Sequence, residues 1–249
     1  MSPTIALCMI VKDEEHGIQR AIESAAQWVD EIVVVDTGST DATMNIVRES
    51  GATVDQFQFT DGIDLAAARN HSLKLAHSDW ALLLDGDTTL DAESGQYLKP
   101  AVAQCSNSPK TILGLWKNPG QTASGEVTAY CRTMVPILNN GQFLGRRHEY
   151  FINSDGNILP TVRAPQIRLK HWGIDHNYLR ATNRLDKVQK NADLTLQQVR
   201  ETPEYSVFWI DAIRGNRYSA ERCRLALDLA AQYKAALKHG EIRFVGEEA

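Results

Sequence analysis

The sequence predicts an α/β domain with a doubly wound, mostly parallel sheet, followed by a short helical appendage. Three apolar runs carry this: Ile5-Ala-Leu-Cys-Met-Ile-Val11, Ile32-Val-Val-Val35 and Trp80-Ala-Leu-Leu-Leu84. They are continuous rather than alternating, as strands covered on both faces must be. Helical spacing fills the gaps between them. After Gly173 the texture turns to helix alone.

Taken in order, the first run is a buried strand. Ile18, Ile22 and Ala25 then form one apolar stripe in a helix over 14–28. The second run is the next strand, and Thr40 or Asp41 caps a helix stopped by Gly51. A short strand at 52–55 follows. Leu65, Ala68, Ser72 and Leu75 stripe a third helix ending near His77, before the strand at Trp80. This βαβαβαβ order is a doubly wound unit. Further on, the pattern gives a helix over 92–105 and strands at 111–116, 126–138, 143–151 and 163–170. Asn139-Asn140-Gly141 suits a hairpin turn. Leu185, Val188, Ala192, Leu196 and Val199 stripe a helix over 177–200, and Pro203 allows a new start. Cys223, Ala226, Leu227, Ala230 and Leu237 mark a last helix ending at Gly240. The expected division is 1–175 for the sheet domain and 176–249 for the helices.

Composition narrows the function. A net charge of −5, from 26 basic and 31 acidic residues, disfavours a polyanion partner. Cys8, Cys105, Cys131 and Cys223 are scattered with no CxxC pair, so they read as reduced thiols in a cytoplasmic protein. The first apolar run is too short for a signal peptide, and none reaches membrane-span length. Peripheral association with a membrane stays open.

Acidic residues follow each clear strand: Asp13 and Glu14 after the first, Asp36 after the second, Asp85 and Asp87 after the third. Ligands of open parallel sheets bind beyond the carboxyl ends of the strands. In Leu84-Asp-Gly-Asp87 the two carboxylates are two residues apart on extended chain, so both can face one point. Gly86 between them admits a close backbone approach. Carboxylate oxygens suit Mg²⁺ or Mn²⁺, which a diphosphate leaving group needs.

Leu7-Cys-Met-Ile-Val-Lys-Asp-Glu-Glu15, Asp30-Glu-Ile-Val-Val-Val-Asp-Thr-Gly-Ser-Thr-Asp41, Ala67-Ala-Arg-Asn70 and Leu84-Asp-Gly-Asp87 resemble glycosyltransferase family 2, with the GT-A fold. More closely, they look like its bacterial branch of lipopolysaccharide-core glucosyltransferases, peptide S-glycosyltransferases and tetratricopeptide-linked glycosyltransferases. The resemblance covers about residues 4–100, and continues more loosely through Arg146-Arg-His-Glu149 and Lys170-His-Trp-Gly173. It implies that Val11 to Glu14 frame the nucleotide base, with Asp36 on the base or ribose. Asp64 and Arg69 would sit near the base and diphosphate, beside Asp85 and Gly86. Arg69 also lies off the apolar stripe of its helix, where a guanidinium can meet phosphate. Asp85, Asp87 and His171 match the family's metal site. Glu149 or His148 would be the catalytic base, with Arg146 and Arg147 keeping the glutamate ionised. Thr37 and Thr88 stand where acidic residues are usual, which bears on donor choice.

The leading reading is an inverting transferase that moves a hexose, UDP-glucose being the first donor to consider. A sugar-nucleotidyltransferase would need a glycine-rich loop with a lysine for triphosphate, and Val11-Lys-Asp-Glu-Glu15 has no glycine cluster. A non-catalytic binding module is the third reading. The acceptor stays open among glycan, lipid-linked sugar, peptide and modified DNA base. Trp116, Trp172 and Trp209 are either sugar platforms or core residues.

Overall fold

The structure, a computed structural model, describes residues 2–105, 108–122, 125–137, 141–147, 149–172, 177–216 and 220–241. It divides into two compact units. One comprises Met1–Gly62, Ala67–Phe143 and Phe151–His176; the other comprises Ile63–Ala66, Leu144–Tyr150 and Asn177–Ala249.

In the first unit, β1 (Ile5–Val11), β2 (Glu31–Asp36), β3 (Thr53–Gln56) and β4 (Trp80–Leu83) alternate with α1 (Ile18–Ala26), α2 (Thr43–Glu49) and α3 (Leu65–Leu75). Next come β5 (Thr88–Leu90), a 3-10 turn at Gly95–Tyr97, α4 (Leu98–Gln104), β6 (Thr111–Thr122), β7 (Gly125–Pro136) and β10 (Thr161–His171). The sheet order is β3-β2-β1-β4-β7-β6-β10-β5. Only β7 and β5 run against the rest. This is the doubly wound, mostly parallel sheet that the apolar runs predict.

Continuous apolar sequence makes β1 the central strand. Ile5, Ala6, Leu7 and Met9 are completely buried, and Ile18, Ala21, Ile22 and Ala25 of α1 share the core of Ile5, Leu7 and Met9. Each fully buried Ile or Leu there contributes about 1.5–3 kcal/mol. The expected cap at Thr40 or Asp41 is corrected: α2 is capped by Ala42 without a side-chain bond, and Asp41, one residue earlier, accepts from the Thr43 amide at 2.9 Å. Gly51 ends that helix with φ +75°.

Other elements need correction. Three residues, Thr88–Leu90, form an unforeseen strand that closes the sheet edge against β10. The segment at 143–151 is split into β8 (Gln142–Leu144) and β9 (Tyr150–Ile152), paired as a separate two-stranded sheet. Gly145, at φ +116°, interrupts it. The hairpin residues Asn139 and Asn140 lie outside the described residues.

The second unit holds α5 (Asn177–Glu201), α6 (Ser206–Gly215) and α7 (Ala220–Lys238). Phe208 is its fully buried centre, edge-on to both Tyr150 and Tyr205. Trp209 is buried, and its Nε1–H donates to the carbonyl of Pro203, so it is a core residue. The stripe expected on α7 is only half right: Ala226 and Leu229 are buried, whereas Cys223, Leu227 and Leu237 are exposed. All four cysteines are free thiols. No helix among the described residues is long and apolar enough to cross a membrane.

Candidate active site

Three strand tips meet at one edge. Val11 at the end of β1 pairs with Asp36 on one side, while Cys8 pairs with Leu83 on the other. The loops that follow these parallel strands therefore emerge together. Asp36 and Asp87 belong to the same rim.

Side chains tie the first two loops together. Asp13 takes φ +53°, a left-handed conformation that aspartate tolerates better than most residues. There its carboxylate accepts from the amide of Thr40 at 2.7 Å, and its own amide donates to the Ser39 hydroxyl. Glu15 accepts from the amide of Ala42, and Asp41 accepts from that of Glu15. Asp36 is 1% exposed, and its oxygens accept from the amides of Gly38 and Ser39. Thr37 donates to the carbonyl of Val11 through its amide and its hydroxyl. Asp13, Glu15, Asp36 and Asp41 thus shape the rim from within.

Glu14 does something else. Its amide donates to the Thr43 hydroxyl, and its side chain lies against Gly86. One carboxylate oxygen, Oε2, is buried without a hydrogen-bond partner. Burial first, then the charges of Asp87, Asp85 and Asp41, push its carboxyl up to about 7. A Cβ on Gly86 would come within 2.6 Å of Glu14 Cγ, and one on Gly17 within 2.6 Å of the Gly86 carbonyl oxygen. The start of α1 therefore rests directly on the Asp-Gly-Asp loop. Sequence reasoning passes over Gly17, whose only signal is a glycine one residue before the helix.

Asp87 and His171 are in contact, Oδ2 to Nε2, at 2.9 Å. The register of β10 against β5 sets His171 opposite Thr88, next to Asp87. The Trp172 amide then donates to the Asp87 carbonyl at 2.9 Å. Burial alone would raise the Asp87 carboxyl, but the hydrogen bond and charge of His171 hold it below the usual aspartate range. His171 is raised in turn by its bond to Asp87, against burial. Its Nδ1 is buried with no hydrogen-bond partner, and the Trp116 ring lies 4.8 Å away.

Asp85 is turned elsewhere. It is largely exposed and pairs with Arg69 Nη2 at 3.2 Å, the salt bridge that competes with a phosphate-binding role for that arginine. Among the described residues no three His, Cys, Asp or Glu side chains are already gathered as a metal shell.

The remaining expected residues fall in the second unit. Asp64 is half-buried just before α3. Glu149 is half-buried, and His148 lies outside the described residues. The two arginines differ. Arg146 is buried and bonded through Nε and Nη2 to Glu201, so it is structural there. Arg147 is pushed below its ordinary value by burial, partly offset by the charge of Glu149.

A doubly wound sheet that gathers carboxylates and a histidine at its strand tips defines a class of nucleotide-dependent domains. Residues 6–113 match the model of glycosyl transferase family 2. The chain belongs to that family. It is 32% identical over 168 residues to a TPR repeat-containing protein of Synechococcus elongatus, covering 68% of this chain and 40% of that one. To the SPbeta prophage-derived glycosyltransferase SunS of Bacillus subtilis it is 26% identical over 204 residues, covering 82% and 47%. The chain thus spans less than half the length of these curated relatives. Among solved structures, residues 1–349 of S. aureus TarS are similar at 24% identity and TM-score 0.39, over 48% of this chain and 37% of that one. Glucosyl-3-phosphoglycerate synthase from Mycobacterium tuberculosis is similar at 23% identity and TM-score 0.37, over 46% and 44%.

Proposed function

We propose that the chain is the catalytic part of an inverting glycosyltransferase that moves a hexose, glucose foremost, from a UDP-sugar to an acceptor, using Mn²⁺ or Mg²⁺. The observation that carries this is the Asp87–His171 contact beside Asp85 and Glu14. Glu14 carries a partnerless buried oxygen, and its carboxyl is raised by burial and then by Asp87, Asp85 and Asp41, a gathering of carboxylates whose charge a hard cation would relieve. The donor set of carboxylate oxygens and one imidazole fits such an ion.

In this reading Asp87 and His171 would hold the metal, and Asp85, paired here with Arg69, would be the further carboxylate. A bound divalent ion supplies charge stabilisation to the diphosphate as the glycosidic bond breaks. Arg69 would present a guanidinium fork to phosphate oxygens. Val11, Glu14 and the loop built on Asp36 frame the base and ribose, and Asp64 serves the same end. Glu149 takes the acceptor's proton as the acceptor oxygen or sulfur attacks C1, with His148 as the alternative base. Arg147 stands near enough to Glu149 for their charges to interact. Residues 1–175 would carry donor chemistry, and the helices of 176–249 would serve the acceptor or cap the sheet. A cytoplasmic location goes with this donor.

Calorimetry of UDP-glucose binding, with Mn²⁺ and with EDTA, tests the proposal. Binding that needs Mn²⁺ and is lost in Asp87→Ala supports it. Equal affinity with chelator, or an unaffected Asp87→Ala, overturns the metal site.

A further inference from the structure

Next to the Asp87–His171 contact runs a groove of about 290 Å³, lined among others by Arg20, Ser24, Thr89, Asp91, Lys170 and Trp172. Side chains alternate along a strand, so Lys170 leaves β10 by the face opposite His171. The groove is therefore a separate space from the one the aspartates face.

Its floor is an indole held in place. Trp172 is 41% exposed, yet its amide donates to the Asp87 carbonyl and its Nε1–H donates to the Thr89 hydroxyl, both at 2.9 Å. Two cations stand on that ring: Arg20 with its guanidinium carbon 4.5 Å from the ring centre, and Lys170 with Nζ 3.7 Å from it. Among the described residues neither cation joins an ion pair. The acidic lining residue, Asp91, is already bonded to Arg168. The hydroxyls are engaged too: Ser24 donates to the Ala21 carbonyl and accepts from the Leu90 amide.

A π-face attracts cations but carries no net charge, so it does not neutralise them. Two like charges brought to one ring repel, and the group that would relieve both is an anion. A guanidinium fork and an ammonium lining one groove are a donor set suited to phosphate. The volume lies at the small end of ligand sites, enough for a phosphate with a short body and too little for a nucleotide sugar.

We propose that Arg20, Lys170 and Trp172 form a second anion subsite, distinct from the donor's, for a phosphate-bearing ligand. That ligand is either a soluble phosphomonoester or a phospholipid headgroup. The proposal does not depend on transferase activity, because binding can be read without donor or metal.

The test uses the full chain with glycerol phosphate by calorimetry, and with vesicles of phosphatidylglycerol in phosphatidylcholine against phosphatidylcholine alone by flotation. Each is repeated with Arg20→Gln and Lys170→Gln, after circular dichroism shows both variants folded. Glycerol phosphate binding that weakens about tenfold in either variant supports the subsite and assigns the soluble source. Flotation that needs phosphatidylglycerol and fails in either variant supports it and assigns the headgroup. The proposal is overturned if neither probe binds, if both variants bind like the parent, or if UDP with Mn²⁺ displaces glycerol phosphate, since that would place the anion in the donor site.

Discussion

Gly17→Ala is the sharpest probe of how the site is built. Gly17 has φ −117° and ψ −35°, which alanine adopts freely, so the cost is steric rather than torsional. The added Cβ would stand 2.6 Å from the Gly86 carbonyl oxygen and 3.5 Å from the Asp87 Cα. Ordinary contact begins near 3.4 Å, and both atoms met first are backbone, so no rotamer escapes the clash. The loop must retreat from α1 by about 0.8 Å, carrying Asp85 and Asp87 with it. Overpacking of this kind costs roughly 1–3 kcal/mol of stability. A displacement of about 1 Å at a reacting centre lowers turnover by around 100-fold. Gly51→Ala is the control: its φ of +75° makes alanine strained, but nothing lies within 4 Å of the new Cβ. That variant should lose about 1 kcal/mol in urea unfolding and keep its affinity for UDP with Mn²⁺. Gly17→Ala should lose both. If Gly17→Ala melts lower yet binds UDP with Mn²⁺ as tightly as the parent, the claim that α1 positions the Asp-Gly-Asp loop is wrong.

His171→Gln should weaken Mn²⁺-dependent UDP binding roughly 10- to 100-fold by removing the imidazole, with a small change in melting temperature; an unchanged titration would remove His171 from the metal site. Glu149→Gln is expected to leave UDP affinity intact and abolish transfer, and lost UDP binding would move Glu149 to the donor side. Glu201→Gln should cost about 1 kcal/mol, because Arg146 keeps its burial but loses a charged partner whose exposure limits the bond's worth. Its pH signature follows from the sign of the shift. Arg146 holds the Glu201 carboxyl below 4.5, so the stabilisation is complete above that value and disappears as pH falls through the lower, folded one. Glu201→Gln should therefore flatten part of the acid limb of a stability-against-pH curve, and a parallel limb would refute the pairing.

Much of this architecture was readable because it rests on burial. Ile5 to Val11 could only be a central strand, since seven nearly continuous apolar residues need cover on both faces. The Asp-Gly-Asp turn could be placed because a strand and a rim define each other. What stayed hidden depends on contacts between distant residues. Thr88–Leu90 has no periodicity to detect, and it exists because β10 lies beside it. Yet that strand brings His171 to Asp87 across more than eighty residues. Gly17 offers little beyond its place before the helix, because its role lies in the space its missing side chain leaves for Gly86. The paired arginines at 146 and 147 look alike in sequence, and only the position of Glu201 separates a structural residue from one beside Glu149.

The acidic residues themselves make the further point. Seven carboxylates cluster around the three strand tips, and composition treats them as equals. Asp13, Glu15, Asp36 and Asp41 accept from backbone amides and so stabilise loop shape. Those bonds answer their charge locally. Among the described residues Glu14, Asp85 and Asp87 have no such amide donors beyond their own turn, and their charges meet. His171 and Arg69 each answer one of them, Asp87 and Asp85 respectively. Glu14 has no such partner among the described residues, so burial first and the neighbouring charges second raise its carboxyl, while His171 holds Asp87 down. A cation entering beside Asp87 would have to compete with His171 for that carboxylate and would lower the charge felt by Glu14. Raising the pH should therefore favour metal binding twice over, by deprotonating His171 and by ionising Glu14.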